Sequence, residues 1–190
     1  PGSLTRWAGG RDVRGVTRRL PDGDESAAVV LNELWQEAAD AGWPALLVPE
    51  SLGGAGASWV EAAVVAEAMG AACAALPMAT TLAATSVLAS CDDGEAQLLL
   101  KGVVEGSVSF GVALGAGDRR VVVAGQRCSH IVAVVGDDVA VFTSSALERT
   151  ARALLDPSSG ACEVVLTGSP LLTVVGGGHQ LRTVQRVLAA

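Results

Sequence analysis

The hydrophobic pattern changes period near the middle of the chain, and that change limits the fold more than any single residue does. Val30, Leu31, Leu34, Trp35, Ala38 and Ala41 recur at steps of three and four, which puts one apolar stripe on a helix. Asp24 or Ser26 is a candidate start signal, and Gly42 follows the end. A Gly-rich loop, Val48 to Gly56, comes next. A second helix opens with Ser58 and Glu61 in capping-box spacing, takes Val60, Val64, Val65 and Met69 as its apolar face, and closes at Gly70. After Pro77 a third helix is predicted from about Thr80 to Ser90. A fourth is predicted after Asp93, through Leu98, Leu99 and Val103 to Gly106.

From Ser107 the pattern becomes short and Val-rich. Ser107–Leu114, Arg120–Ala124, Ile131–Val135, Val139–Thr143, Ala151–Leu155, Glu163–Thr167 and Leu171–Val175 read as strands separated by Gly, Asp or Pro. Gly136-Asp137-Asp138 is a hairpin signal, and Asp156 to Gly160 is another turn. An antiparallel sheet of barrel or small-sandwich type is expected. After Gly176-Gly177-Gly178 a helical period returns with Leu181, Val184, Val187 and Leu188. The fold class is therefore α+β: a helical bundle over 4–106, a β-domain over 107–176, and the start of a second helical domain over 177–190.

Charge and cysteine usage narrow the function. The net charge is −7, and only Arg18-Arg19 and Arg119-Arg120 form basic pairs, so no nucleic-acid-binding face is expected. Cys73, Cys91, Cys128 and Cys162 are scattered without metal-ligand spacing, so no metal site is expected, and three lie in apolar neighbourhoods as buried thiols would. Free thiols and the lack of a leader pattern or membrane span suggest a cytoplasmic protein. Tyr is absent and Phe numbers 2, so Trp35, Trp43 and Trp59 are expected to anchor the helical core. The low Lys content, Lys101 alone, together with the Ala, Val and Gly excess reads as the codon bias of a GC-rich, bacterial genome.

One ordered set of motifs goes further. Leu34-Trp35-Gln36-Glu37-Ala38-Ala39-Asp40-Ala41-Gly42-Trp43 is followed by Leu47-Val48-Pro49-Glu50, by Gly53-Gly54-Ala55-Gly56, and by Glu61 and Glu67 with Gly70. This series resembles the acyl-CoA dehydrogenase amino-terminal domain, whose pattern is L-W-x-x-L-A-x-x-G-W, then V-P-E-x-x-G-G-x-G, then an acidic helix ending in Gly. Glu105 to Leu114, Ser129 to Val134, and Leu155-Asp156-Pro157 through Val164 to Gly168 are similar to strands of the family's middle domain.

The resemblance implies an FAD-dependent oxidation of an acyl-CoA thioester to its 2,3-enoyl form. The acyl-CoA would lie between the helical layer and the sheet. An oligomer with like or unlike acyl-CoA dehydrogenase-type subunits and a separate electron acceptor are also implied. A carboxylate base is expected beyond Ala190, and no residue of this chain takes that role. The flavin contacts carried over are Ala113, Leu114, Gly115 and Gly117; the substrate contacts are Pro77, Met78 and Thr81.

The sequence departs from the family at the flavin motif T-E-P-x-x-G-S-D. Here Val112-Ala113-Leu114 runs into Gly115-Ala116-Gly117-Asp118, without Thr, Glu, Pro or Ser, and Gly125 to His130 is short. Two readings stay open: a partner subunit that binds no flavin, or a sequence from which the flavin-side loops are missing. An oxidase or flavin monooxygenase on the same scaffold is a weaker alternative.

The remaining candidates have plainer readings. Glu50 reads as a loop carboxylate accepting backbone amides, and Gly53, Gly54 and Gly56 as a tight turn. Arg119, Arg120 and Arg127 read as a solvated hairpin edge that could meet phosphates, Ser129 and His130 as neighbours on opposite strand faces, and His179 as a surface residue.

Overall fold

A computed structural model describes residues 13–19, 25–152 and 159–188. The helices are α1 (Val13–Arg19), α2 (Glu25–Asp40), α3 (Trp59–Ala71), α4 (Met78–Leu88), α5 (Gly94–Val104) and, after the strands, α6 (Gly178–Leu188). The strands are β1 (Phe110–Leu114), β2 (Arg119–Val123), β3 (His130–Val135), β4 (Asp138–Thr143), β5 (Arg149–Ala151), β6 (Cys162–Val165) and β7 (Leu172–Val174). Every predicted helix has a counterpart, and so has every predicted strand except Ala151–Leu155, of which only Ala151 falls in a strand, β5; the architecture is α+β. Asp24, the predicted strand residues 153–155 and the turn residues 156–158 lie outside the described residues, as do the side chains of Val184, Val187 and Leu188.

Helix α2 buries the predicted stripe, with Leu31 and Leu34 against Val13 and Val16 of α1. Trp35 and Ala38 pack against Ala62, Val65 and Met69 of α3 and Leu82 of α4. The helix starts at Glu25, so Ser26 lies inside its first turn rather than capping it. Gly42, at φ +74°, ends it with its N–H on the Ala39 carbonyl. The capping box of α3 forms as predicted between Ser58 and Glu61.

The face assigned to α3 needs correction. Ala62, Val65 and Met69 are buried, whereas Val60 is 71% exposed, Val64 is exposed and Trp59 is 50% exposed. A helix with apolar residues on all sides has no polar stripe to fix its rotation, so tertiary packing decides it. Trp59 therefore does not anchor the core, while Trp35 and Trp43 pack in it. Gly70 lies one residue inside the helix.

Helix α4 is central: nine of its eleven residues are buried. Its hydroxyls are satisfied on its own backbone, Thr80 and Thr81 donating to Pro77 O and Thr85 to Leu82 O. Helix α5 starts at Asp93, whose carboxylate accepts the N–H groups of Glu95 and Ala96.

The seven strands form one sheet in the order β5-β6-β2-β1-β3-β4-β7. The pairings are antiparallel except at the centre, where β1 and β3 run parallel, Phe110 opposite His130 and Val112 opposite Val132. This corrects the all-antiparallel expectation. β2 hairpins back along one edge of β1, and residues 124–129 then carry the chain to the other edge, where β3 must run in the direction of β1. The β3–β4 hairpin turns on Gly136 and Asp137, with Val135 opposite Asp138, as predicted.

Alternation divides the sheet into two apolar faces. Phe110, Val112, Val132, Val134, Val139, Val141, Leu172 and Val174 pack with Ala84, Val87 and Leu88 of α4, Leu99, Leu100 and Val103 of α5, and Leu181 of α6. Ala113, Val122, Ile131, Ala133, Ala140, Phe142, Cys162 and Val164 form a second core on the opposite face. Helices and sheet thus share one apolar interior. Of the cysteines, Cys128 and Cys162 are buried, Cys91 is half-buried against the first core and Cys73 is exposed, so three lie in apolar neighbourhoods as expected.

The passage from helix to sheet is pinned at Gly106. Trp35 Nε1 donates to its carbonyl at 2.8 Å and Gln36 Nε2 at 3.3 Å. Gly106 has φ +75°, and an added Cβ would lie 2.7 Å from that of Ala39. Gly106→Ala should therefore destabilise the chain by about 1–3 kcal/mol in urea unfolding. Trp35→Phe, which removes the indole donor and leaves the carbonyl with Gln36, should cost about 1–2 kcal/mol by the same measurement.

Candidate functional site

The boundary between helices and sheet is bridged by a side chain. Thr81 is fully buried on the first turn of α4; its Oγ1 donates to Pro77 O at 2.6 Å and accepts the Phe110 N–H at 3.0 Å. Phe110 opens β1, so this hydroxyl joins α4 to the first residue of the central strand. The Phe110 and His130 rings lie 5.8 Å apart at 47°. His130 Nδ1 is 3.0 Å from Ser129 Oγ, which also donates to Ser109 O at 3.0 Å and accepts the Ser109 N–H at 2.9 Å. Burial pushes the His130 imidazole below its ordinary value of 6.5.

This cluster overturns one expectation. Ser129 and His130 do meet, because Ser129 precedes the first residue of β3 and strand alternation does not reach it. The pair lacks the remainder of a nucleophilic triad, since no ion pair to His130 occurs among the described residues. The buried thiols offer no alternative nucleophile: burial raises Cys128 and pushes Cys162 up to about 11. No Asp or Glu is buried, and no metal-ligand cluster occurs, among the described residues.

The residues assigned from the sequence fall at two ends of β1. Pro77, Met78 and Thr81 share the first turn of α4. Met78 packs with Trp35, Val65, Met69 and Leu82, and Thr81 is engaged as above. Ala113, Leu114, Gly115 and Gly117 lie at the far end, roughly 13 Å along the strand from Phe110. The Ala113 side chain points into the second core, and Leu114 packs against the first. Gly115 and Gly117, at φ +86° and +83°, form an exposed turn into β2, with Leu114 already opposite Val121.

The solvated-edge reading of Arg120 needs correction. It is 7% exposed on the second-core face, donating from Nε to Gly117 O at 2.7 Å and from Nη1 to Val134 O at 2.6 Å. Its alternation with the buried Val122 was the available signal. Arg127 is not a solvated edge either, since it donates to Ala75 O at 2.8 Å. Arg119 is exposed and pairs with Glu163. The Glu50 side chain accepts no backbone amide among the described residues; main-chain bonds such as Gly54 N–H to Pro49 O and Gly56 N–H to Val48 O hold its loop. His179 is exposed near the start of α6, as read.

The family fold implies FAD, and the far end of β1 tests the fit. Between Ala113 and Gly117 no side chain carries a hydroxyl or amide donor, and the carbonyl of Gly117 is taken by Arg120. These residues offer the edge of an isoalloxazine no side-chain donor, only the backbone N–H groups of the turn.

Comparison with known proteins identifies the scaffold. Residues 15–107 match the family described as acyl-CoA dehydrogenase, N-terminal domain. A solved structure of a Tcur3481-Tcur3483 steroid ACAD variant superposes with a TM-score of 0.67 at 21% identity, covering 97% of this chain and 61% of that one. The ChsE4-ChsE5 complex of Mycobacterium tuberculosis gives 0.64 at 20% identity, covering 95% and 59%. An acyl-CoA dehydrogenase complexed with FAD from Bacillus anthracis gives 0.70 at 14% identity, covering 96% and 39%. The chain thus spans about three-fifths of the length of the first two structures. None of the curated proteins matches it. The amino-terminal half of the chain thus matches the acyl-CoA dehydrogenase amino-terminal domain, and the chain shares the acyl-CoA dehydrogenase fold.

Two outcomes follow from the Thr81–His130 cluster. Thr81→Val should lower stability by about 1–3 kcal/mol, because the buried Phe110 N–H is left without an acceptor, whereas Thr81→Ser should retain most of it. A His with a depressed folded value binds its proton less readily than the unfolded chain does. Stability should therefore be complete above pH 6.5 and decline as pH falls below it, and His130→Gln should flatten that decline in pH-dependent urea unfolding.

Proposed function

We propose that this chain is one subunit or segment of an FAD-dependent acyl-CoA dehydrogenase assembly, acting on an acyl-CoA thioester to give the 2,3-enoyl thioester. The observation that carries the reading is the amino-terminal domain match joined to a β-domain through the Thr81–Phe110 bond. FAD is the redox group such an assembly uses, and an electron acceptor reoxidises it. In this reading residues 4–106, 107–176 and 177–190 are the helical domain, the middle domain and the start of a second helical domain, and the protein is cytoplasmic. No helix among the described residues is long and apolar enough to cross a membrane. The first turn of α4, with Pro77, Met78 and Thr81, is the part of this chain assigned to the acyl tail.

Unlike subunits are the favoured form of the assembly. Structures named as pairs of gene products, Tcur3481-Tcur3483 and ChsE4-ChsE5, are among those sharing the fold. The oxidase and monooxygenase alternatives have less support: the same fold is found in a nitrososynthase from Micromonospora carbonacea, and fold alone does not choose the reaction.

The test is acyl-CoA-dependent reduction of an artificial electron acceptor by the assembly purified from its native host through a tag on this chain. The panel should include straight-chain and steroid-bearing thioesters, because one structural relative is named a steroid enzyme. Dye reduction with at least one thioester is expected. Oxygen consumption with hydrogen peroxide release would favour the oxidase, and no turnover with any thioester would remove the dehydrogenase reading.

A further inference from the structure

We propose that this chain leaves the flavin to a partner chain, because Arg120 closes the end of β1 at which the cofactor would lie. The inference rests on the assembly proposed above and adds which chain holds the cofactor.

The closure is built from three contacts. Leu114 pairs with Val121, so β1 and β2 form a hairpin that turns back almost as soon as β1 ends. The Arg120 side chain crosses beneath the turn and donates to Gly117 O. The same guanidinium donates to Val134 O, on the neighbouring strand β3. The turn is thereby fastened to β3 at the level where β1 leaves the sheet. The next connection is fastened as well: Leu166 N–H donates to Asp118 O, which ties the turn to the segment after β6.

Arg120 is buried, and no ion pair involves it among the described residues. Burial favours its neutral form, and the nearby Asp118 opposes that by stabilising the charge. An unpaired buried cation is costly to maintain. The two carbonyl bonds are what the fold gains in return, and both would be lost if the turn opened to admit a ring system. Ala113 cannot compensate, because its side chain belongs to the second core.

The experiment is a titration of FAD with the full chain purified alone, followed by flavin fluorescence and visible absorbance. Free-flavin fluorescence is expected to persist to a large excess of chain. The Arg120→Met variant, which loses both carbonyl bonds, is expected to melt at a lower temperature. Stoichiometric quenching by the wild-type chain would overturn the inference. Its loss in Arg120→Met would then identify the guanidinium as a phosphate ligand. If the wild-type chain binds FAD while the assembly still reduces dye, only the present inference fails. If neither binding nor turnover is seen, the dehydrogenase reading fails and the closed turn stands.

Discussion

The structure depends on a hydroxyl that serves two elements at once. Thr81 sits in the first turn of a helix with almost no exposed surface, and its oxygen takes the amide of Phe110, the first residue of the central strand. A buried amide without a partner is costly, so the helix cannot rotate or slide without stranding that group. Around this contact the apolar side chains of α4, α5 and α6 meet one face of the sheet in a single cluster. The helices and sheet therefore form one body, with the strand between them held at its first residue by Thr81 and near its last by Arg120.

That arrangement divides β1 into two regions of different chemical capacity. The Phe110 end gathers hydroxyls and an imidazole, namely Ser109, Ser129 and His130, whose bonds run mostly to one another. The other end offers small side chains, a tight turn and a guanidinium committed to two carbonyls. The side-chain donors near β1 are already engaged, which leaves the backbone N–H groups of the turn as its donors. The fold is that of the acyl-CoA dehydrogenases, and the turn that follows β1 is fastened to β3 through Arg120.

Local signals made much of the fold legible. Ser58 with Glu61, and Asp93 before α5, are capping chemistry confined to a few neighbouring residues, and both behave as their spacing suggests. Gly136 between two Val-rich runs likewise marks its hairpin. What escaped was set by partners far along the chain. Val60 and Val64 look like core residues, but α2 and α4 take the opposite side of α3. The parallel β1–β3 pairing follows from how residues 124–129 cross the sheet, which no strand pattern encodes. Arg120 appears polar and is buried, because its partners are carbonyls on the turn and on β3. The family motif around Trp35 and Gly53 identified the scaffold, and the same motif says nothing about the turn that follows β1.

Native-state amide hydrogen exchange tests the central claim, that helices and sheet are one cooperative body joined at Thr81. The Phe110 amide should exchange only through global unfolding, with the same free energy and denaturant dependence as the amides of Val87 and Leu100 in the helices. Exchange of Phe110 and the β1 amides at a markedly lower free energy, while the helical amides stay protected, would contradict it.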